Sequence, residues 1–128
     1  LRSLGALLQR HSARVILVRQ PWLERSFPPD EERNLWMFGD GRPYHEPVST
    51  YYDRAVIYPI LHQVDAVTER VARELRAEPL EIRTRIPADF EHYYDEMHHT
   101  PRGCALVGEL VAQAIQERAP APVRTQPA

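Results

Sequence analysis

At 128 residues, the chain is long enough for one small domain with a core of its own. A composition of 43 % apolar and 27 % charged residues is that of a globular protein, and a net charge of −2 implies no surface built for polyanions such as nucleic acid. A single cysteine, Cys104, excludes an internal disulfide, and no stretch approaches the ~18 consecutive apolar residues of a membrane span.

Leu1, Leu4, Leu7, Leu8 and His11 follow helical spacing, so residues 1–12 read as a helix already under way at the first residue. Leu1 is not an initiator methionine, and with that open start it leads us to expect a preceding part of the protein, which leaves the compartment undetermined. Val15 to Val18 is a short apolar run rich in β-branched residues, the pattern of a strand buried on both faces in a parallel sheet. Residues 21–50 form a long connection carrying Trp22, Phe27, Trp36 and Phe38. Loops of this length are functional or disordered, and the aromatics argue against disorder. Residues 22–44 therefore read either as a lid over a pocket or as an excursion packing its own aromatics on the surface.

From 51 to 76 runs the longest helical pattern, with Ile57, Leu61, Val64, Val67, Val71 and Leu75 on one stripe and Pro59 as a kink or start. Leu80-Glu81-Ile82-Arg83 alternates as a second short strand, and residues 84–94 are a loop. Thr100 as N-cap and Pro101 at the first helical position open a last helix to about Arg118. The domain is expected to span 1–118, and the Pro-rich residues 119–128 to form a disordered tail. Alternating helices and strands predict an α/β fold with parallel strands. Two strands alone make a poor sheet, which again suggests that the rest of it comes from elsewhere.

Ahead of the last helix stands Tyr93-Tyr94-Asp95-Glu96-Met97-His98-His99-Thr100-Pro101-Arg102-Gly103. An acid three residues before a histidine, on a loop feeding an amphipathic helix, can present an imidazole together with the carboxylate that orients it. Asp95 has the right spacing to His98, with Glu96 as a neighbouring competitor. A metal site from His92, His98, His99, Asp95 and Glu96 is disfavoured, because they lack the i, i+4 pairing of a helical zinc motif. Cys104 reads as an ordinary helix residue.

The block from Asp95 to Gly103, with the apolar helix behind it, resembles the last conserved block of the SGNH (GDSL-type) hydrolases. His99 departs from that block, which has a bulky apolar residue at this position. The resemblance implies a flavodoxin-like, doubly wound parallel sheet, of which residues ~13–118 would be the C-terminal half. It implies a serine esterase acting on a lipid, acyl or carbohydrate ester without metal or organic cofactor. His98 would be the general base and Asp95 its orienting partner. An acyltransferase on the same scaffold is the close variant, and a non-catalytic binding module that keeps the fold is the alternative from another class. The family's Gly-Asp-Ser nucleophile block is missing. Ser3, Ser12, Ser26 and Ser49 lack its context, and Gly39-Asp40-Gly41 has glycine where serine is needed. The family's oxyanion-hole blocks are missing as well, and Asn34 does not supply one. All the missing blocks precede, in the family, the strand that Val15 to Val18 resembles. The chain by itself is therefore expected to be inactive.

Overall fold

The computed structural model describes residues 2–10, 14–32, 35, 39 and 50–117. Trp36, Phe38, Asn34, the Asp40-Gly41 pair and the tail 118–128 lie outside the described residues, and with them most of the lid question and the tail expectation. The order of elements is α1 (Arg2–Arg10), β1 (Ile16–Val18), a single turn α2 (Pro29–Glu32), α3 (Arg54–Glu74), β2 (Glu78–Leu80), a 3-10 turn (Arg83–Arg85) and α4 (Pro101–Glu117).

β1 and β2 pair in parallel, with Ile16 opposite Glu78, Leu17 opposite Pro79 and Val18 opposite Leu80. α3 connects them and packs on both strands, forming a βαβ unit. Successive side chains of a strand point to opposite faces. Val15 and Leu17 accordingly pack with Ala72, Leu75 and Ala77 at the end of α3. Ile16 and Leu80 join Leu23, Ile82, Ile86, Tyr93 and the α4 residues Leu110 and Ala114. The sheet thus lies between α3 on one face and α4 on the other.

The second strand comes earlier than the alternation of Leu80 to Arg83 suggests. Glu78 and Leu80 carry the ladder, through Glu78 N–H to Val15 O and Arg19 N–H to Leu80 O, both at 2.9 Å. Pro79 falls between them, where its missing N–H faces away from β1 and costs no bond to that strand. Past Leu80 the chain leaves the sheet because Glu81 caps the following turn, accepting from Thr84 N–H at 3.2 Å and Thr84 Oγ1 at 2.7 Å.

Both helices, α1 and α3, lie where the helical spacing puts them, and the structure adds which of their faces are covered. In α1 the leucines do not face the core: Leu4, Leu7 and Leu8 are exposed. Gly5 makes the contact instead, so close that a Cβ on it would meet Leu75 Cδ1 at 2.3 Å. α3 begins at Asp53, whose carboxylate accepts the Ala55 N–H at 2.8 Å, and Pro59 lies inside it. Its stripe is buried only at the C-terminal end: Val71 is buried, whereas Val64 and Val67 remain exposed. The helix ends in a Schellman motif, with Ala77 N–H to Ala72 O at 2.8 Å, Arg76 N–H to Arg73 O at 3.0 Å, and Arg76 at φ 51°. Among the described residues no helix is long and apolar enough to cross a membrane.

Candidate functional site

The motif loop is closed at its base before any side chain is considered. Tyr94 N–H donates to His98 O at 2.8 Å, and Thr100 N–H to His92 O at 3.1 Å, so Tyr93 and His99 face each other as an antiparallel bridge. Their rings pack 4.6 Å apart. Burial pushes the Tyr93 hydroxyl up to about 12. Asp95, Glu96, Met97 and His98 therefore lie in a tight loop pinned on a buried aromatic.

Asp95 is fully buried and holds that loop from inside. Its Oδ1 accepts the backbone N–H of Met97 at 2.7 Å and of His98 at 2.8 Å. Its Oδ2 lies 2.9 Å from His98 Nδ1, while the His98 side chain is 52 % exposed. A carboxylate removed from water and held by two amides keeps one orientation, and it fixes the imidazole through Nδ1. Proton exchange with anything outside then falls to Nε2, the arrangement that an acid–base histidine needs.

The loop is anchored at both ends. Leu23 N–H donates to Glu96 O at 2.8 Å, tying it to the segment that follows β1. On the other side Thr100 caps α4, with Oγ1 accepting Gly103 N–H at 3.1 Å while Pro101 opens the helix, as the sequence leads one to expect. Gly103 is required by space: a Cβ there would lie 2.0 Å from His92 O.

Three features escape the sequence reading. Glu96 is 1 % exposed and so is no exposed competitor to Asp95. It lies near Tyr58, whose hydroxyl is raised by burial, lowered by Arg54 and raised further by Glu96 and Glu24. Second, Asp89-Phe90-Glu91-His92 repeats the Asp-x-x-His spacing six residues earlier. Asp89 Oδ1 accepts from Glu91 N–H and His92 N–H, both at 3.0 Å, and meets His92 Nδ1 at 2.7 Å. Here the burial is reversed, with histidine 7 % and acid 45 % exposed, which makes this pair a structural turn. The repeated spacing was there to be seen in the sequence; the reversal of burial was not. Third, His99 Nε2 is buried without a hydrogen-bond partner among the described residues. Burial, and then the nearby His98, hold the His99 imidazole below its ordinary value, against the pull of Asp95.

Among the described residues no three His, Cys, Asp or Glu side chains converge as metal ligands, and Cys104 is exposed on α4. Trp22 and Leu23, at the start of the long connection, are buried against the domain, and Phe27 packs with Phe90. No family model matches this sequence, and the curated proteins and solved structures yield no significant match.

Proposed function

We propose that this chain is the histidine-bearing, C-terminal portion of an SGNH-type serine hydrolase acting on carboxylic esters, with the serine nucleophile contributed by sequence outside these 128 residues. The observation that carries the reading is the Asp95–His98 pair: a fully buried carboxylate, 2.9 Å from Nδ1 of an exposed imidazole, on a loop pinned at both ends. His98 takes the serine proton and returns it to the leaving group, while Asp95 holds the tautomer and stabilises the imidazolium. The βαβ unit supports the doubly wound architecture, because Pro79 leaves the outer side of β2 one N–H short and suits it to a sheet edge. Further strands of the sheet then add beside β1.

The test has two arms. The 128-residue chain should release no p-nitrophenol from p-nitrophenyl butyrate above the buffer rate. The natural protein should do so, and should react with a fluorophosphonate probe, with both activities abolished by His98→Ala. Retention of either in that variant refutes the role of His98. A second reading, a non-catalytic module, is favoured by one observation: the Asp89–His92 turn has the same Asp-x-x-His spacing with its histidine enclosed, so the spacing is compatible with a purely structural role. Absence of both activities from the natural protein would establish it.

A further inference from the structure

Beside the motif loop lies a small cavity of about 80 Å³, lined by Gln20 and Trp22 just past the carboxyl end of β1, Leu61, Val64 and Thr68 of α3, and Met97. The position is the one where parallel α/β sheets place ligands, outside the carboxyl ends of the strands. Met97 is common to both features: its N–H binds Asp95 Oδ1, and its side chain forms a wall of the cavity next to His98.

The lining has polar side chains, but they are engaged within the protein. Gln20 Nε2 donates to Pro21 O at 3.1 Å, Thr68 Oγ1 to Val64 O at 3.0 Å, and Trp22 Nε1 to Glu24 at 3.0 Å. Asp65, which also lines the cavity, is held by Arg19, with Nε to Oδ1 at 2.7 Å. That hydrogen bond keeps the Asp65 carboxyl below its usual range although burial opposes it, so the wall carries a fixed anion that is already paired. A ligand here finds mainly apolar surface, and a negatively charged end would give up its hydration beside a carboxylate that already holds the nearby guanidinium.

We propose that this cavity receives the uncharged, short aliphatic acyl chain of an ester, leaving the carbonyl to the nucleophile that His98 would activate. The proposal rests on the hydrolase reading for the chemistry, but the cavity binds its ligand without it. Size sets the limit. An apolar cavity of about 150 Å³ holds benzene, so one of about 80 Å³ takes a chain of roughly two to four carbons. Within that limit each buried methylene tightens binding about fourfold, and beyond it the gain ends.

Methyl ketones serve as probes, because they carry the carbonyl and the chain and cannot be hydrolysed. The natural protein, with methionine methyls labelled and the Met97 signal assigned by its loss in Met97→Leu, is titrated with 2-butanone, 2-pentanone, 2-heptanone and levulinate. The Met97 methyl should shift and show a nuclear Overhauser effect to the ketone chain. Affinity should rise from butanone to pentanone and gain nothing further at heptanone, and levulinate should bind at least tenfold more weakly than 2-pentanone. Val64→Trp, at a position exposed enough to accept it, should lower 2-pentanone affinity at least tenfold with the helical circular dichroism unchanged. His98→Ala should leave it within twofold, which separates the cavity from the catalytic reading. An unmoved Met97 signal, affinity still climbing at heptanone, or full binding by Val64→Trp would overturn the proposal. If ketones bind as described while the natural protein hydrolyses no ester, the hydrolase reading fails and the cavity remains.

Discussion

Gly103 and His92 are in contact backbone to backbone: the first turn of α4 passes so close to the His92 carbonyl that a Cβ on Gly103 would stand 2.0 Å from its oxygen and 2.9 Å from its carbon. Neither atom belongs to a flexible side chain, so the helix and the loop must separate to admit a methyl group. Gly103→Ala is therefore expected to destabilise the protein by about 2–4 kcal/mol, read by urea denaturation, and to broaden the His98 resonances. Gly108 is the control on the same helix. Nothing lies within 4 Å of a Cβ there, so Gly108→Ala should stabilise by about 0.5–1 kcal/mol through helix propensity alone.

The two Asp-x-x-His turns differ in which partner is buried, and this difference predicts opposite outcomes for the same change. Asp95→Asn keeps the side-chain oxygen that accepts the Met97 and His98 amides, but loses the anion that orients Nδ1. In the natural protein, turnover on p-nitrophenyl butyrate should fall by about 10⁴-fold. Asp89→Asn should leave turnover within a few-fold while costing about 1 kcal/mol of stability, because its histidine is enclosed. Equal effects on turnover would refute the assignment of the two roles.

His99 makes stability depend on pH in a direction that follows from its surroundings. Burial holds its folded-state pKa below the ordinary value, whereas the unfolded chain takes up the proton near pH ~6.5. Between those two values the unfolded state binds more protons, so this contribution is full above pH ~6.5 and is lost as pH falls toward the folded pKa. His99→Phe should flatten the stability profile between about pH 7 and pH 5. It should also add about 1 kcal/mol at pH 7, since it removes a buried nitrogen that has no partner among the described residues and keeps a ring against Tyr93. Thermal melts across that pH range check both effects, and an unchanged slope would count against this account of His99.

Arg76 occupies the left-handed position of the Schellman motif, at φ 51°, where a side chain is strained and glycine is not. Arg76→Gly should raise stability by about 1 kcal/mol, measured by urea denaturation. A loss would mean that the arginine side chain contributes more than its backbone strain costs.

The local elements near the site were legible because short-range chemistry determines them. Thr100 and Pro101 start a helix in any context that supplies a partner for its apolar face, and the β-branched run before Arg19 makes a strand. The spacing of Asp95 and His98 permits a turn in which the carboxylate caps two amides and reaches Nδ1, because all the atoms involved lie within four residues. Asp89 and His92 obey the same local rule, however, and nothing in the spacing separates the two pairs.

Tertiary structure decided which partner of each pair is buried. Burial is a property of what packs from far along the chain. Leu23 closes on the Glu96 carbonyl and leaves Asp95 without solvent beside an exposed His98, whereas the start of α4 closes on His92 and leaves Asp89 outside. The same long-range packing turned the leucines of α1 outward in favour of Gly5, and moved β2 forward to the residues that meet β1 in register. A period along the chain marks which residues share a face of a helix or strand. Only the elements that arrive from a distance determine whether that face is covered, and here they left the imidazole exposed beside a buried acid in one of two identical spacings and enclosed it beside an exposed acid in the other.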